Sequence, residues 1–172
     1  TTIFVDAAKA ERYDVALPYV QRVYDRDRRV PDNPKGFIAQ STNALGYVLM
    51  QLGDRQRARP LLEETLRIRQ ALGAKLETAQ TETNLARLDF LDGQFAEAEA
   101  RLRRAAPILA DKLGEQHAAM GGVHAQLGRV LRVTGRLQEA ERELLRAQST
   151  WFAQLANSPG NELQRAQFGE SM

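Results

Sequence analysis

Apolar residues recur at spacings of three and four along most of the chain, in blocks that single glycines separate. In "NALGYVLMQLGDRQRARPLLEETL", for example, two such runs flank one glycine. A period near 3.6 residues predicts amphipathic helices, and a glycine directly after such a run predicts the left-handed residue that ends a helix. The pattern therefore predicts an all-helical chain built from helix–glycine–helix hairpins.

The hairpins are repeated along the chain, because the glycines Gly53, Gly93 and Gly135 are 40 and 42 residues apart. A leucine and a small residue precede each glycine by eight and seven positions: Leu45-Gly46, Leu85-Ala86 and Leu127-Gly128. An alanine follows each glycine five positions later, with a leucine four positions further on: Ala58 and Leu62, Ala98 and Leu102, Ala140 and Leu144. Residues 9–20 repeat the second half of the pattern, so the sequence contains four related units.

The small residues in this pattern predict where the two helices of a hairpin approach closely, and the neighbouring leucines are expected to fill the holes that remain. One such hairpin cannot bury its apolar face alone. Successive hairpins are therefore expected to stack and to share a continuous core along the array.

Charge and hydropathy argue against a nucleic-acid partner and a membrane span. The 24 basic and 22 acidic residues give a net charge of +2. Arginine and glutamate alternate at helical spacing in "EETLRIR" and "EAERELLR", which indicates solvated ion pairs along helices rather than a phosphate-binding stripe. Because no run approaches about 18 consecutive apolar residues, no transmembrane helix is expected.

Catalytic and metal-binding motifs are missing from the sequence. The absence of cysteine excludes disulfides, thiolate metal sites and cysteine nucleophiles, and it fits a cytoplasmic protein. We find no glycine-rich phosphate loop and no nucleophile elbow. His117 and His124 are seven residues apart across a predicted helix boundary, with no further ligand beside them. We therefore predict neither an enzyme nor a cofactor or metal site.

The positions of the small residue, the glycine and the alanine resemble those of the tetratricopeptide repeat. The period of about 42 residues, with "LGAKLETA" at 72–79 and "LGEQHAAM" at 113–120, is similar to the kinesin light chain type of this repeat. The tryptophan and the terminal proline of the common repeat are missing. The resemblance covers nearly the whole chain and implies a right-handed superhelical solenoid of antiparallel helix pairs. It also implies a turn or capping hydrogen bond for His117.

The resemblance implies that partners bind on the concave face that the first helices of the hairpins form. Carried over residue by residue, the expected contact residues are Asn43, Tyr47, Met50, Thr83, Arg87, Phe90, Arg129 and Arg132. Amides can pair with the backbone of an extended peptide, and arginines bind carboxylates through two parallel hydrogen bonds. The resemblance thus implies a protein-interaction module whose cationic groove takes an extended, acidic partner segment.

Similar bacterial arrays are attached to kinase or DNA-binding domains, which implies a regulatory region of a larger bacterial signalling protein. Two alternatives stay open. The array could be an assembly or spacer element that self-associates end to end, or it could sense a small signalling peptide.

The register divides the chain into units of about 1–36, 37–78, 79–120 and 121–160, with a partial fifth helix at 161–172. Both ends then fall inside a repeat, which predicts a piece of a longer array. Apolar residues near the two ends either pack within the end repeats or support self-association: Ile3, Phe4, Val5, Trp151, Phe152 and Phe168.

Two local features give further expectations. The segment "RDRRVPDNPKG" at 26–36 predicts a loop between repeats, with its arginines at the solvated end of the preceding helix. Asp89 falls where other units have Leu49 and Leu131. Because an unpaired buried carboxylate is costly, we expect Asp89 either to pair with an arginine or to turn towards water.

Overall fold

The computed structural model describes residues 12–156, which form seven α-helices and no β-strand. Their bounds are α1 Tyr13–Arg29, α2 Lys35–Gln51, α3 Arg55–Ala71, α4 Lys75–Leu91, α5 Phe95–Leu113, α6 Ala118–Val133 and α7 Leu137–Ala156. The all-helical prediction is confirmed for this range. The predicted fifth helix at 161–172 and the end residues Ile3, Phe4, Val5 and Phe168 lie outside the described residues.

The turns inside the predicted hairpins have the expected geometry. Gly53 follows α2 with φ of +82°, in the left-handed region that favours glycine. The N–H of Gly53 donates to the carbonyl of Met50 (3.1 Å), and the N–H of Asp54 donates to that of Leu49 (2.9 Å). This pair of bonds satisfies carbonyls that a helix end would otherwise leave free. The same φ region and the same pair of bonds recur at Gly93 and Gly135.

The chain divides into two compact units between Gln94 and Phe95. In the N-terminal unit, α1 packs on α2, α2 on α3 and α3 on α4. In the C-terminal unit, α5 packs on α6 and α6 on α7. We call α2, α4 and α6 the first helices, and α1, α3, α5 and α7 the second helices, after their places in the predicted hairpins. The division into units of about 42 residues stays a prediction.

The core of the N-terminal unit forms where α2 and α3 approach closely. A Cβ added to Gly46 would lie 3.0 Å from Cγ of Leu62, which is fully buried. Because Gly46 has no side chain, Leu62 can lie against the backbone of α2. The predicted pairing of a small residue with a leucine is confirmed here. The surrounding buried cluster includes Leu45, Leu49, Ala58, Leu85 and Leu88.

The C-terminal unit repeats this contact between α6 and α7. A Cβ on Gly128 would lie 2.6 Å from Cγ of Leu144 and 3.3 Å from the carbonyl oxygen of Ala140. A second close approach was not predicted: a Cβ on Gly121 would lie 2.7 Å from Nε1 of Trp151. The indole of Trp151 therefore packs partly within its own hairpin, although about half of the residue is exposed.

The proline-containing segment forms the predicted loop between α1 and α2. The side-chain amide of Asn33 donates to the carbonyl of Asp27 (2.7 Å), which closes the loop over the end of α1. Three arginines lie in the last turn of α1, where they complement the negative end of the helix dipole. One of them, Arg28, also pairs with Glu64 of α3.

Two glycines of α6 allow a matched test of the close approach between α6 and α7. Gly128→Val is expected to destabilise the chain by about 1–3 kcal/mol, because the added methyl groups meet Leu144 and the backbone of Ala140. Gly122→Val is the control, because a Cβ there has no atom within 4 Å. Urea denaturation followed by circular dichroism measures both variants. Equal stabilities for the two would contradict this account of the packing.

Candidate partner-binding surface

The first helices keep one face open, and most of the predicted contact residues lie on it. On α4, Thr83, Arg87 and Phe90 follow one another at four- and three-residue spacing and are half-buried or exposed. On α2, Asn43 and Tyr47 lie in the corresponding positions and are half-buried. Because α2 and α4 contact each other, these residues belong to neighbouring helices of the N-terminal unit. In the C-terminal unit, Arg129 and Arg132 are exposed on α6.

Met50 lies in the core and not on the open face of α2, where its place in the register had suggested. It is only 3% exposed and belongs to the core cluster of the N-terminal unit. The equivalent residues Phe90 and Arg132 are half-buried and exposed, respectively. Its thioether therefore stabilises the packing of α2 and offers little surface to a partner, and we leave Met50 out of the surface proposed below.

Other residues of the predicted set already have partners inside the N-terminal unit. The ring of Tyr47 packs edge to face against Tyr13, with centroids 6.0 Å apart. The hydroxyl of Thr83 donates to the carbonyl of Ala79 in its own helix (3.0 Å). The side-chain oxygen of Asn43 lies 3.5 Å from a guanidinium nitrogen of Arg69. These contacts reduce the hydrogen-bonding capacity that is left for a ligand.

Arg69 is a structural residue that the sequence analysis missed. Its guanidinium donates to the hydroxyl of Thr81 (2.7 Å) and to the carbonyl of Glu77 (2.9 Å), so it joins α3 to α4. Burial lowers the pKa of Arg69 below its usual value, and the nearby charge of Glu77 only partly opposes this. No sequence signal distinguishes Arg69 from the many arginines that alternate with glutamate.

Asp89 pairs with an arginine, which is the first of the two predicted arrangements. Its carboxylate is 1% exposed and accepts a hydrogen bond from Arg59 of α3 (2.8 Å), which also donates to Asp92 (3.0 Å). Burial on its own would lower the pKa of Arg59, but hydrogen bonds to Asp89 and Asp92 outweigh it and raise the pKa above its usual value. The guanidinium thus stays charged, and Asp89 serves to attach α4 to α3.

A second cluster of charges joins α5 to the start of α7. Glu99 accepts hydrogen bonds from Arg103 (2.8 Å) and Arg136 (2.8 Å), and Arg136 also donates to Glu139 (2.7 Å). Burial alone would raise the pKa of Glu99, but the bonds from Arg103 and Arg136 lower it below its usual value. The bond to Glu139, followed by that to Glu99, raises the pKa of Arg136. Glu143 and Arg146, three residues apart in the segment "EAERELLR", form an ion pair of the predicted kind (3.3 Å).

The two histidines have separate structural roles. Nδ1 of His117 accepts a hydrogen bond from the N–H of Ala119 (3.1 Å), so His117 caps the start of α6 as expected. His124 is 8% exposed, and its Nδ1 lies 2.6 Å from Oε2 of Glu143 on α7. The sequence analysis missed this acidic partner because it lies on another helix. Among residues 12–156, no group of three or more side chains could hold a metal ion.

Arg87, Arg129 and Arg132 differ from most other arginines in having no partner. In the described part of the chain, none of the three guanidinium groups forms a hydrogen bond or an ion pair. They are also the only arginines on α2, α4 and α6. The arginines of the second helices, by contrast, are mostly paired with carboxylates, as in Arg57 with Asp54 and Arg146 with Glu143. The first helices therefore present guanidinium groups that no intramolecular contact within this range uses.

In the same range, none of the helices is both long and apolar enough to cross a lipid bilayer.

The helix hairpins, their glycine turns and their open first-helix faces define a helical-repeat scaffold. Family models of the tetratricopeptide repeat match residues 5–71, 37–111 and 121–146, and the chain belongs to this family. Tetratricopeptide repeats generally mediate protein–protein interactions and generally have no enzymatic activity. No curated protein matches the chain.

Solved structures of similar fold confirm the predicted fold class, a tetratricopeptide solenoid, and they include proteins named for kinesin light chains. A point variant of a protein from Podosopora anserina, named for a kinesin light chain with nearly identical TPR-like repeats, is 20% identical with a TM-score of 0.71. The match covers 92% of this chain and 76% of that one. The same protein without the substitution gives 20% identity and a TM-score of 0.68, over 85% and 70% of the two chains. BtubC (BKLC) from P. vanneervenii is 17% identical with a TM-score of 0.54, over 89% and 78%.

The charge cluster around Glu99 predicts a pH dependence of stability. Because the folded state lowers the pKa of Glu99 below its ordinary value of 4.5, the stabilisation is complete above that pH and is lost as the pH falls further. We expect the free energy of unfolding to fall less steeply between about pH 5 and pH 3 in Glu99→Gln than in the unmodified chain. Glu115→Gln, at an exposed position, should keep the original slope. Equal slopes for all three proteins would refute the expectation.

Proposed function

We propose that the chain is a non-catalytic binding module that takes an extended, acidic segment of a partner protein on the open faces of its first helices. In the N-terminal unit Arg87 would bind a carboxylate of such a segment, and in the C-terminal unit Arg129 and Arg132 would do so. The observation that carries the proposal is that all three guanidinium groups are exposed and unpaired among the described residues, whereas most arginines of the second helices are paired.

The energetic argument concerns what an arginine must give up before it can bind a partner. A paired guanidinium loses its present carboxylate when a new one arrives, so the exchange gains little. Arg87, Arg129 and Arg132 give up only water, and a carboxylate can satisfy two of their N–H groups at once. Their backbone is held in regular helices, which lowers the cost of ordering the site on binding.

The distribution of charge on each helix also favours an acidic partner. Helix α6 carries Arg129 and Arg132 and contains no carboxylate, and α2 contains no carboxylate either. On α4, Glu82 and Asp89 are buried, and Glu77 lies in the first turn, away from Arg87. An approaching carboxylate would therefore meet little like charge near these arginines.

Apolar neighbours of the arginines on the same faces would add contacts along the extended segment of the partner. Phe90 follows Arg87 by three residues and Val133 follows Arg129 by four, so each lies beside an arginine on its helix. Phe90 is half-buried and Val133 is exposed. A partner segment with acidic and small apolar residues in alternation would match both kinds of side chain.

Charge reversal tests the proposal in each unit separately. The probe is a fluorescein-labelled peptide in which glutamate alternates with serine, and fluorescence anisotropy measures its binding. Arg87→Glu and the double variant Arg129→Glu/Arg132→Glu should each weaken binding by about tenfold or more, because an attractive contact becomes a repulsive one. Binding to the unmodified chain should also weaken as salt is raised.

The matched controls are Arg67→Glu on α3 and Arg142→Glu on α7, which make the same change of charge at exposed positions of the second helices. They should keep most of the affinity. Equal losses in the control variants would show a general charge effect and contradict the proposal. Equal binding of a peptide with glutamine in place of glutamate, or of a DNA duplex, would contradict it as well.

A further inference from the structure

The fifth residue of a second helix forms the charged contact with the hairpin that follows it. In the N-terminal unit, Arg59 is the fifth residue of α3, and it pairs with Asp89 and Asp92 at the end of α4. In the C-terminal unit, Glu99 is the fifth residue of α5, and it pairs with Arg136, directly before α7. The same position is thus used in both units, with the signs of the charges reversed.

Glu141 occupies this position in α7, and it has no such partner. It is exposed, and in the described part of the chain its side chain forms neither a hydrogen bond nor an ion pair. The apolar residues beside it are exposed too. Leu144 is 41% exposed, whereas Leu62, at the same place in α3, is fully buried. Leu137 and Trp151 extend this apolar row of α7. One side of the row packs on α6, and within residues 12–156 no helix other than α6 covers the rest of it.

Arg12 has the opposite charge to Glu141 and a place in the chain equivalent to that of Arg136. It directly precedes α1, just as Arg136 directly precedes α7. Arg136 pairs with the fifth residue of a second helix, Glu99. Arg12 is exposed, and its side chain forms no ion pair or hydrogen bond with another described residue. In the existing junction, an arginine directly before one second helix pairs with the fifth residue of the preceding second helix. Arg12 has the position of that arginine, so its expected partner is a glutamate at a fifth position.

We propose that the face of α7 in one copy of the chain docks onto the start of α1 in a second copy, with Glu141 paired to Arg12. The contact is head to tail, so each copy uses one surface of each kind. Burial of Leu137, Leu144 and Trp151 would supply most of the affinity, and the ion pair would fix the orientation. The contact uses none of the three arginines of the proposed peptide surface.

Sedimentation velocity of the full chain over a range of concentrations tests the contact. The weight-average mass should rise with concentration in the unmodified protein. Glu141→Arg and Arg12→Glu should each weaken self-association by about threefold to tenfold, and Leu144→Asp should weaken it further. Circular dichroism melts confirm that each variant is folded.

Charge exchange separates this geometry from other modes of association. The double variant Glu141→Arg/Arg12→Glu should associate nearly as well as the original chain, because the pair is restored with its signs exchanged. An equal mixture of the two single variants should associate as well, since every junction between unlike copies is then complementary. Glu115→Arg, an exposed residue of the same unit, is the control and should have no effect.

Several results would overturn the proposal. A mass that stays monomeric at all concentrations excludes the contact. Association whose strength is unchanged by Glu141→Arg or by Arg12→Glu assigns the interface to other surfaces. Failure of the double variant to recover association shows that the two residues do not pair.

Discussion

The packing of the hairpins α2–α3 and α6–α7 depends on one steric constraint: the first helix must have a small residue where the leucine of the second helix meets it. At Gly46 and at Gly128 even a single methyl group would crowd the facing leucine. The contact brings the two backbones close together and fixes which face of the first helix points inward. Because that face is committed to the core, the opposite face is open to solvent, and its side chains can vary without loss of packing.

This division also sorts the arginines into two populations. On the second helices and in the turns, arginines such as Arg59, Arg69 and Arg136 bind carboxylates, hydroxyls or carbonyls and join one helix to the next. On the first helices, Arg87 and Arg129 have no acceptor within hydrogen-bonding distance among the described residues. The chain has similar numbers of basic and acidic residues overall. The open faces of α4 and α6 nevertheless have an excess of positive charge.

The sequence predicted those features whose causes are local in the chain. The left-handed turn at Gly53 follows from a glycine directly after an apolar helical run, and the pairing of Asp89 follows from the cost of a buried charge. The cap at His117, by contrast, was implied by the resemblance to the kinesin light chain type of repeat. Contacts between distant residues escaped prediction, as with His124 and Glu143, 19 positions apart, and Arg136 and Glu99, 37 positions apart. The burial of Met50 was missed for a related reason, since the register gives its place on the helix but not which distant residues pack around it.

The opposite signs of Arg59 and Glu99 have a consequence for how such a chain can evolve. Deletion of α4 and α5 would bring Arg59 towards Arg136, a pair of like charges, whereas deletion of α2 and α3 would leave Asp89 without Arg59. The charged residues thus make each junction specific for the pair of hairpins that forms it. The two junctions carry opposite charges, so a hairpin that suits one of them does not suit the other.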